Sequence, residues 1–530
     1  MHAVLFAAFA GVAVQLLVLA APRRDDVTLA VSEPVAATSY SRPDIVDRNG
    51  RLLATDLEAP SIFADPGLVI DRDEVVEKLL TVLPDLNGDQ LLRDLADKSR
   101  RFMWVRRGVS PGIAQRVHDL GLPGISFRYE LKRAYPGGEM AGHVLGYVDV
   151  DNRGVAGIER YIDEKVGVDP VHSAVLSSRP PVRLSLDIGV QHALEDELDD
   201  AVRLYKTDGA AGVVLNIKTG EILASASLPQ VDPTWPSGAL DKTHIDRMAG
   251  GTYELGSVFK TLTLAMAFDE GLARPDTLLD VRQPLEAGRF TVKDFHPASR
   301  PLTVTEVFTH SSNVGAGMLG LEAGPDKLKA FLDRLGLLDP MKTEEGMLAA
   351  PQVPQTWNRI STITVSFGHG IAVAPLQFAA AAATILNDGK TVHPTFLRKF
   401  DAGTADGKAV VSPETSRLMA QLMRRNVVDR DGTGSKADVP GYRVGGKTGT
   451  ADVAAKGGYT SNSVISSFLA AFPTDDPQYL TLVVLFEPKA TEATRGYRTA
   501  GVNAAPVTGK LIARIAAQLG VQPQAVAVSQ

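Results

Sequence analysis

The chain opens on an uncharged apolar run, Ala3 to Pro22 (AVLFAAFAGVAVQLLVLAAP), roughly 20 residues long and enough to cross a bilayer as a helix. A cleaved signal peptide has a shorter apolar core behind a basic segment, which is missing here, so a single membrane anchor over residues 1–22 is expected. Arg23-Arg24 lies on the wrong side of that run for an N-in orientation, which suggests a natural start further upstream. After a polar stretch, Asn49-Gly50 between apolar pairs signals a hairpin. From Asp71 to Ser99 the spacing of leucines and charges is helical. Arg133 to Tyr147 is rich in turn residues, and Val166 to Val182, rich in Pro and Ser, reads as a boundary.

Beyond that boundary, Leu184 begins a short strand that leads into an amphipathic helix. Gly212 to Ser227 reads as a hairpin turning at Lys218-Thr219-Gly220. Gln377 to Leu386 is Ala-rich and helical. Phe468 to Phe472 and Tyr479 to Phe486 are mostly apolar runs suited to a central sheet, and Val507 to Leu519 is an amphipathic helix. Helices interleaved with an antiparallel-looking sheet predict an α/β (α+β) catalytic domain.

At 530 residues the chain exceeds what one hydrophobic core fills, so two or more domains are expected. Its 44% hydrophobic and 22% charged content is that of a folded protein. A net charge of -7 argues against a nucleic-acid binder. The run Lys98 to Arg107 (KSRRFMWVRR) mixes bases and aromatics but reads better as a solvated, partly strand-like face. With no cysteine, disulfides and thiol catalysis are excluded. The ten histidines show no ligand spacing, so neither a metal nor a cofactor is expected, and His369 reads as structural.

Three short strings carry the chemistry: Ser257-Val258-Phe259-Lys260, Ser311-Ser312-Asn313 and Lys447-Thr448-Gly449-Thr450. They read SxxK, SxN and KTG, a set found in serine enzymes acylated by β-lactams. Ser257 begins an almost wholly apolar helix, so Ser257 and Lys260, three apart, share one face near its start. Burial lowers a lysine pKa, and a neutral Lys260 could deprotonate Ser257. Taken alone, the same string fits a helix N-cap serine with a lysine at the rim. Ser311, on a loop after a helix opened by the Thr303/Glu306 capping box, could pass a proton between Lys260 and an amine, and Asn313 could bond a substrate amide. A plain helix-to-loop turn fits that string equally well. Lys447 could attract a carboxylate, Thr448 and Thr450 could bond it, and Gly449 would let a ligand approach an edge strand.

Two rival patterns need separating. Gly441 to Thr448 matches GxxxxGK[ST] letter for letter, but a P-loop follows a buried strand and opens a helix. Here a polar, Pro-containing segment precedes it and a poor helix former comes after it. A second KTG at Lys218-Thr219-Gly220 precedes SxxK and fits a hairpin turn.

Order and conjunction lift the three strings. The chain resembles the class B penicillin-binding proteins, monofunctional peptidoglycan D,D-transpeptidases, over nearly its whole length. RPDIVDRNGRLLA, RAYPGGEMAGHVLGYV and GIERYIDEKV look like the pedestal motifs, and TYELGSVFK, SSNVG, FGHGIAVAPLQFA and GGKTGTA occur in family order. SSNVG with FGHGIAVAPLQ looks more like the division-specific FtsI branch than the elongation branch. Leu255 stands where the family often has Pro, and Thr234 where DPN is common. The resemblance implies an anchor (1–22), a pedestal or dimerisation domain (23–180), a transpeptidase domain with a central antiparallel sheet flanked by helices (181–522) and a short tail (523–530). It further implies Ser257, Lys260, Ser311, Asn313 and Lys447 as catalytic residues and Thr448, Gly449 and Thr450 as substrate-binding ones. Stem peptides of peptidoglycan and β-lactam antibiotics are the implied ligands, and an FtsW-type glycan polymerase with other division proteins the implied partners. The implied location is the bacterial inner membrane, with the catalytic domain in the periplasm. A β-lactam sensor, a carboxypeptidase or β-lactamase, and a silent scaffold are the competing readings.

Overall fold

The computed structural model describes residues 39–171, 177–287, 290–399, 407–455 and 458–524. The expected anchor, the polar stretch after it and all but two residues of the expected tail lie outside the described residues. Among those described, no helix is long and apolar enough to cross a membrane.

The N-terminal region is built on a long strand, β1 (Leu52–Ala64), paired antiparallel with β2 (Ile125–Ala134) from Thr55 opposite Ala134 to Ala64 opposite Ile125. The predicted hairpin forms: Ile45–Val46 pairs with the start of β1, and Gly50 takes the positive φ of 84° that the tight turn requires. The helical pattern from Asp71 to Ser99 is not one helix but two, Arg72–Val82 and Gly88–Ala96. Pro84 cannot continue the first, and Asn87 starts the second by accepting from the Gln90 amide at 3.0 Å. The basic run lies partly on the strand Met103–Arg106, and its arginines meet acids: Arg100 with Asp94, Arg101 with Asp65, Arg106 with Asp85, and Arg107 with Glu130 and Asp151.

Beneath β1 and β2 lies a buried ionic network. Arg42 donates to the Glu159 carboxylate at 2.8 Å and to its main-chain oxygen at 2.6 Å; Arg133 reaches the other Glu159 oxygen at 2.7 Å and Asp56 at 3.1 Å. All four side chains are essentially inaccessible to water. The three N-terminal motifs therefore meet at one point in space although they are spread over more than a hundred residues.

The C-terminal region includes helix α1 (Ile188–Tyr205), capped by Asp187, which accepts from the Gly189 and Val190 amides. The predicted hairpin comes next as β3 (Gly209–Asn216) and β4 (Ile222–Leu228). Then come α2 (Lys260–Asp269), α3 (Asn313–Ala323), α4 (Pro375–Leu386) and α5 (Pro413–Val428), strands β5 (Gly445–Ala455), β6 (Gly458–Phe472) and β7 (Tyr479–Phe486), and α6 (Ala504–Ile515). The five strands form one antiparallel sheet in the order β5-β6-β7-β3-β4, so β5 is an edge. The period of two explains why β7 reads as a continuous apolar run. Leu482 and Val484 face the core shared with α2, α4 and α5, whereas Val483 and Leu485 face the one shared with α1 and α6.

Backbone and side chains join the two regions. Ile45–Val46 runs parallel to Val182–Arg183, Asn49 Nδ2 donates to Asp187 at 2.9 Å, and Asp47 accepts from the Ile188 amide at 3.3 Å. Arg48 and Arg398 share the buried Glu221.

Candidate active site

The segment Gly256–Phe259 makes one tight turn that runs directly into α2. Ser257 makes no cap bond there, so the bland N-cap reading of this serine fails; its side chain is partly exposed where Val258, Phe259 and Lys260 are buried. Between Lys260 and Phe268 nothing polar is left on the circumference of α2 except the Lys260 amine and two threonines, which is why that whole stretch is buried.

The Thr303/Glu306 capping box forms as predicted and opens the short helix Val304–Thr309. Ser311 comes next with φ of 59°, a left-handed conformation uncommon for a residue with a side chain, and Ser312 then caps α3 by accepting from the Gly315 amide at 2.9 Å. Ser311 and Asn313 are thereby turned toward Lys260. Its Nζ donates to the Ser311 main-chain oxygen at 2.5 Å, Ser311 Oγ at 3.2 Å and Asn313 Oδ1 at 2.7 Å.

Lys447 arrives from β5. Its Nζ donates to Ser311 Oγ at 3.0 Å and to the Thr448 main-chain oxygen at 3.1 Å, and it lies 5.7 Å from the centre of the Phe308 ring. The Ser311 hydroxyl thus stands between two amines. A hydroxyl has two lone pairs and one proton, so it can accept from both lysines and keep its proton for a third group. Burial holds the Lys260 amine well below the usual lysine range, and the neighbouring Lys447 charge pushes it the same way; Asp294 opposes both. Burial alone brings Lys447 down to about 7. A neutral Lys260 amine has two protons for its three acceptors and one lone pair, and it is the form that can take a proton.

The remaining predicted residues shape the edge. Thr448 Oγ1 donates to Thr433 Oγ1 at 2.8 Å, and Thr433 is in turn held by the buried Asn426, whose amide also donates to the Gly446 main-chain oxygen at 2.8 Å. Gly449 must be a glycine, because a Cβ there would come within 2.4 Å of both the Leu255 oxygen and Ser467 Oγ. Gly256 has φ of 62°, and a Cβ on it would meet the Thr450 oxygen at 2.7 Å. The KTG strand therefore runs against the turn that carries Ser257. Thr450 Oγ1 accepts from the Ala500 amide at 3.2 Å.

The rivals separate cleanly. Lys447 lies within a strand that continues to Ala455 and opens no helix, so Gly441 to Thr448 is not a P-loop. Lys218-Thr219-Gly220 is the turn between β3 and β4, with Lys218 3.1 Å from Asp476. His369 is partly buried, packs 5.3 Å from the Phe367 ring, and is held toward its neutral form by burial. Among the described residues, no group of three or more His, Asp or Glu side chains could hold a metal ion.

Sequence reasoning missed Asp294, Thr433 and Asn426. Asp294 accepts from Ser312 Oγ at 2.6 Å, from the Asn313 amide at 2.5 Å and from the Val314 amide at 3.0 Å. None of the three carries a local pattern. Thr433, between Gly432 and Gly434, reads as any turn residue would.

The chain matches the family described as penicillin binding protein transpeptidase domain over residues 210–513, and the penicillin-binding protein dimerisation domain over 38–166. It is 40% identical to a protein of Caulobacter vibrioides named probable peptidoglycan D,D-transpeptidase FtsI, over 91% of this chain and 82% of that one. It is 31% identical to peptidoglycan D,D-transpeptidase FtsI of Escherichia coli, over 93% of this chain and 86% of that one. Among solved structures it is similar to penicillin binding protein 3 of Mycobacterium tuberculosis complexed with aztreonam. That match has a TM-score of 0.69 and 27% identity, covering 92% of this chain and 98% of that one. With two lysines and a serine gathered where the sheet edge meets the turn of Ser257, the chain belongs to the penicillin-binding protein transpeptidase family.

Proposed function

We propose that the protein is a peptidoglycan D,D-transpeptidase of the FtsI type that cross-links stem peptides through an acyl-enzyme on Ser257. The observation that carries this reading is the Ser311 hydroxyl, bonded at once to Lys260, on the helix that follows the Ser257 turn, and to Lys447, on an edge strand. An edge strand can take an extended peptide by main-chain pairing, and Lys447 supplies a positive charge for its terminal carboxylate. Ser257 Oγ then attacks the carbonyl carbon of the penultimate D-Ala while its proton passes to Lys260. The tetrahedral oxyanion is held by the amides of Ser257 and Thr450. Its collapse breaks the peptide bond, and the departing D-Ala amine takes a proton through Ser311. An amine from a second stem peptide attacks the ester, losing a proton along the same route, and restores the Ser257 hydroxyl.

Domain limits belong to the same proposal: anchor 1–22, pedestal 23–180, transpeptidase region 181–522 and tail 523–530. The uncharged run at the start supports a single-pass anchor with the catalytic region in the periplasm. An FtsW-type polymerase and other division proteins are the proposed partners, supported by the similarity to the two FtsI proteins.

The test is intact mass after exposure to a penicillin, with peptide mapping. One stable adduct on the Ser257 peptide, lost in Ser257→Ala, is expected; an unmodified wild-type protein sinks the proposal. Steady β-lactam hydrolysis would favour a water-using enzyme instead. Depletion in cells separates the branches: filaments are expected for a septal enzyme, and round cells would point to the elongation branch.

A further inference from the structure

Asp294 belongs to none of the three motifs. It lies between the small hairpin of Leu285–Ala287 and Phe290–Val292 and the strand Leu302–Thr303, 18 residues before the serine it touches. Its carboxylate gathers the Ser312 hydroxyl and the first two amides of α3, those of Asn313 and Val314. These amides have no partner within the helix, so their direction is set from outside it. The Ser312 hydroxyl is committed both ways, donating to Asp294 and accepting from the Gly315 amide. Next door, the Lys293 main-chain oxygen accepts from Asn313 Nδ2 at 3.4 Å, which orients the amide so that Oδ1 faces Lys260. The left-handed Ser311 between two helices needs such support, since that conformation costs about 1–3 kcal/mol unless its surroundings fix it.

We propose that Asp294 is a positioning residue of the acylation step: it fixes Ser311 and Asn313 around Lys260 and places a negative charge beside that amine. The proposal rests on the reading of Ser257 as nucleophile. The groups around Lys260 then have opposed effects. Lys447 from β5 repels the ammonium form, and Asp294 from the segment before α3 favours it. His369, on the turn before α4, is held toward neutrality, and Ser311 and Asn313 contribute uncharged acceptors.

The experiment measures the second-order rate of acylation of the full chain in detergent by a fluorescent penicillin, from pH 6 to 10. Wild type is compared with Asp294→Asn, Asp294→Ala and the control Asp280→Asn, which alters an exposed carboxylate paired with Arg282 ahead of that hairpin. Asp294→Ala should react about ten-fold more slowly or worse, still at Ser257, because the serine and asparagine lose their register. Asp294→Asn keeps one acceptor and should fall less. Losing the negative charge lets Lys260 shed its proton more easily, so the acid limb of the rate profile should move to lower pH. Asp280→Asn should match wild type. An unmoved limb in Asp294→Asn, or wild-type rates in both Asp294 variants, overturns the inference while labelled wild type leaves the acyl-enzyme reading standing. Wild type without label at Ser257 overturns both.

Discussion

Lys447 is fully buried in the resting site, and its replacement by methionine should make the protein more stable while ending its activity. Burial brings the amine from 10.5 to about 7. Each tenfold change in a protonation equilibrium is about 1.4 kcal/mol, so at pH 7 the buried amine destabilises the fold by on the order of 4 kcal/mol relative to an exposed lysine. Methionine has nearly the same length and no charge to desolvate. Its gain is offset by the three hydrogen bonds Lys447 makes, to Ser311 Oγ, the Thr448 oxygen and Thr448 Oγ1, at about 0.5–1.5 kcal/mol each. At the middle of that range a net gain of about 1 kcal/mol remains, or roughly 2 °C in the melting midpoint. The sign with pH is fixed. The native pKa lies below the unfolded one, so the unfolded chain holds more protons between them and wild-type stability rises with pH. The penalty is complete below about pH 7 and vanishes by about 10.5. The advantage of Lys447→Met, read by calorimetry at pH 7, 8.5 and 9.5, should therefore shrink steadily. A variant no more stable than wild type at pH 7, or an advantage that does not change with pH, would refute the reasoning.

The geometry carries three further outcomes. Gly449→Ala, which would drive a Cβ onto the Leu255 oxygen and Ser467 Oγ, should cost about 1–3 kcal/mol in thermal unfolding and slow penicillin acylation by displacing the Ser257 turn. Lys218→Ala should acylate at the wild-type rate, since that second KTG is a hairpin turn whose lysine only meets the exposed Asp476; a large loss would mean the wrong KTG was chosen. Arg42→Ala leaves the buried Glu159 short of a partner and should cost about 3–5 kcal/mol, seen as early proteolysis of the N-terminal region, with Ser257 still labelled in whatever remains folded.

How much of this was readable in the sequence depends on how far apart the cooperating residues lie. SxxK was readable because one turn of helix brings Ser257 and Lys260 together. KTG was readable because the glycines at 445, 446 and 449 mark a strand under close approach, as Gly449 turns out to be. The break at Pro84 was also in plain view, with Asn87 as the next cap, yet the leucine spacing on either side masked it. What no local pattern could report is pairing across long intervals. Arg42 and Glu159 are 117 residues apart, and Asn426 reaches Gly446 across a loop. Asp294 is the sharpest case. A carboxylate that caps someone else's helix looks, in its own segment, like any acid in a loop.

The hairpin at Asn49-Gly50 has a consequence for how such proteins exchange parts. Its Asn49 amide and Asp47 carboxylate complete the cap of α1, and Asp187 at that cap also accepts from Gln518 at 2.7 Å, close to the far end of the chain. The first helix of the catalytic region is thus finished by residues from both ends of the protein. A chimera spliced at the Pro- and Ser-rich boundary would carry that helix away from one of its own ends, so the heritable unit must include residues 47–49 as well. Recombination between relatives should respect this seam rather than the boundary that composition suggests.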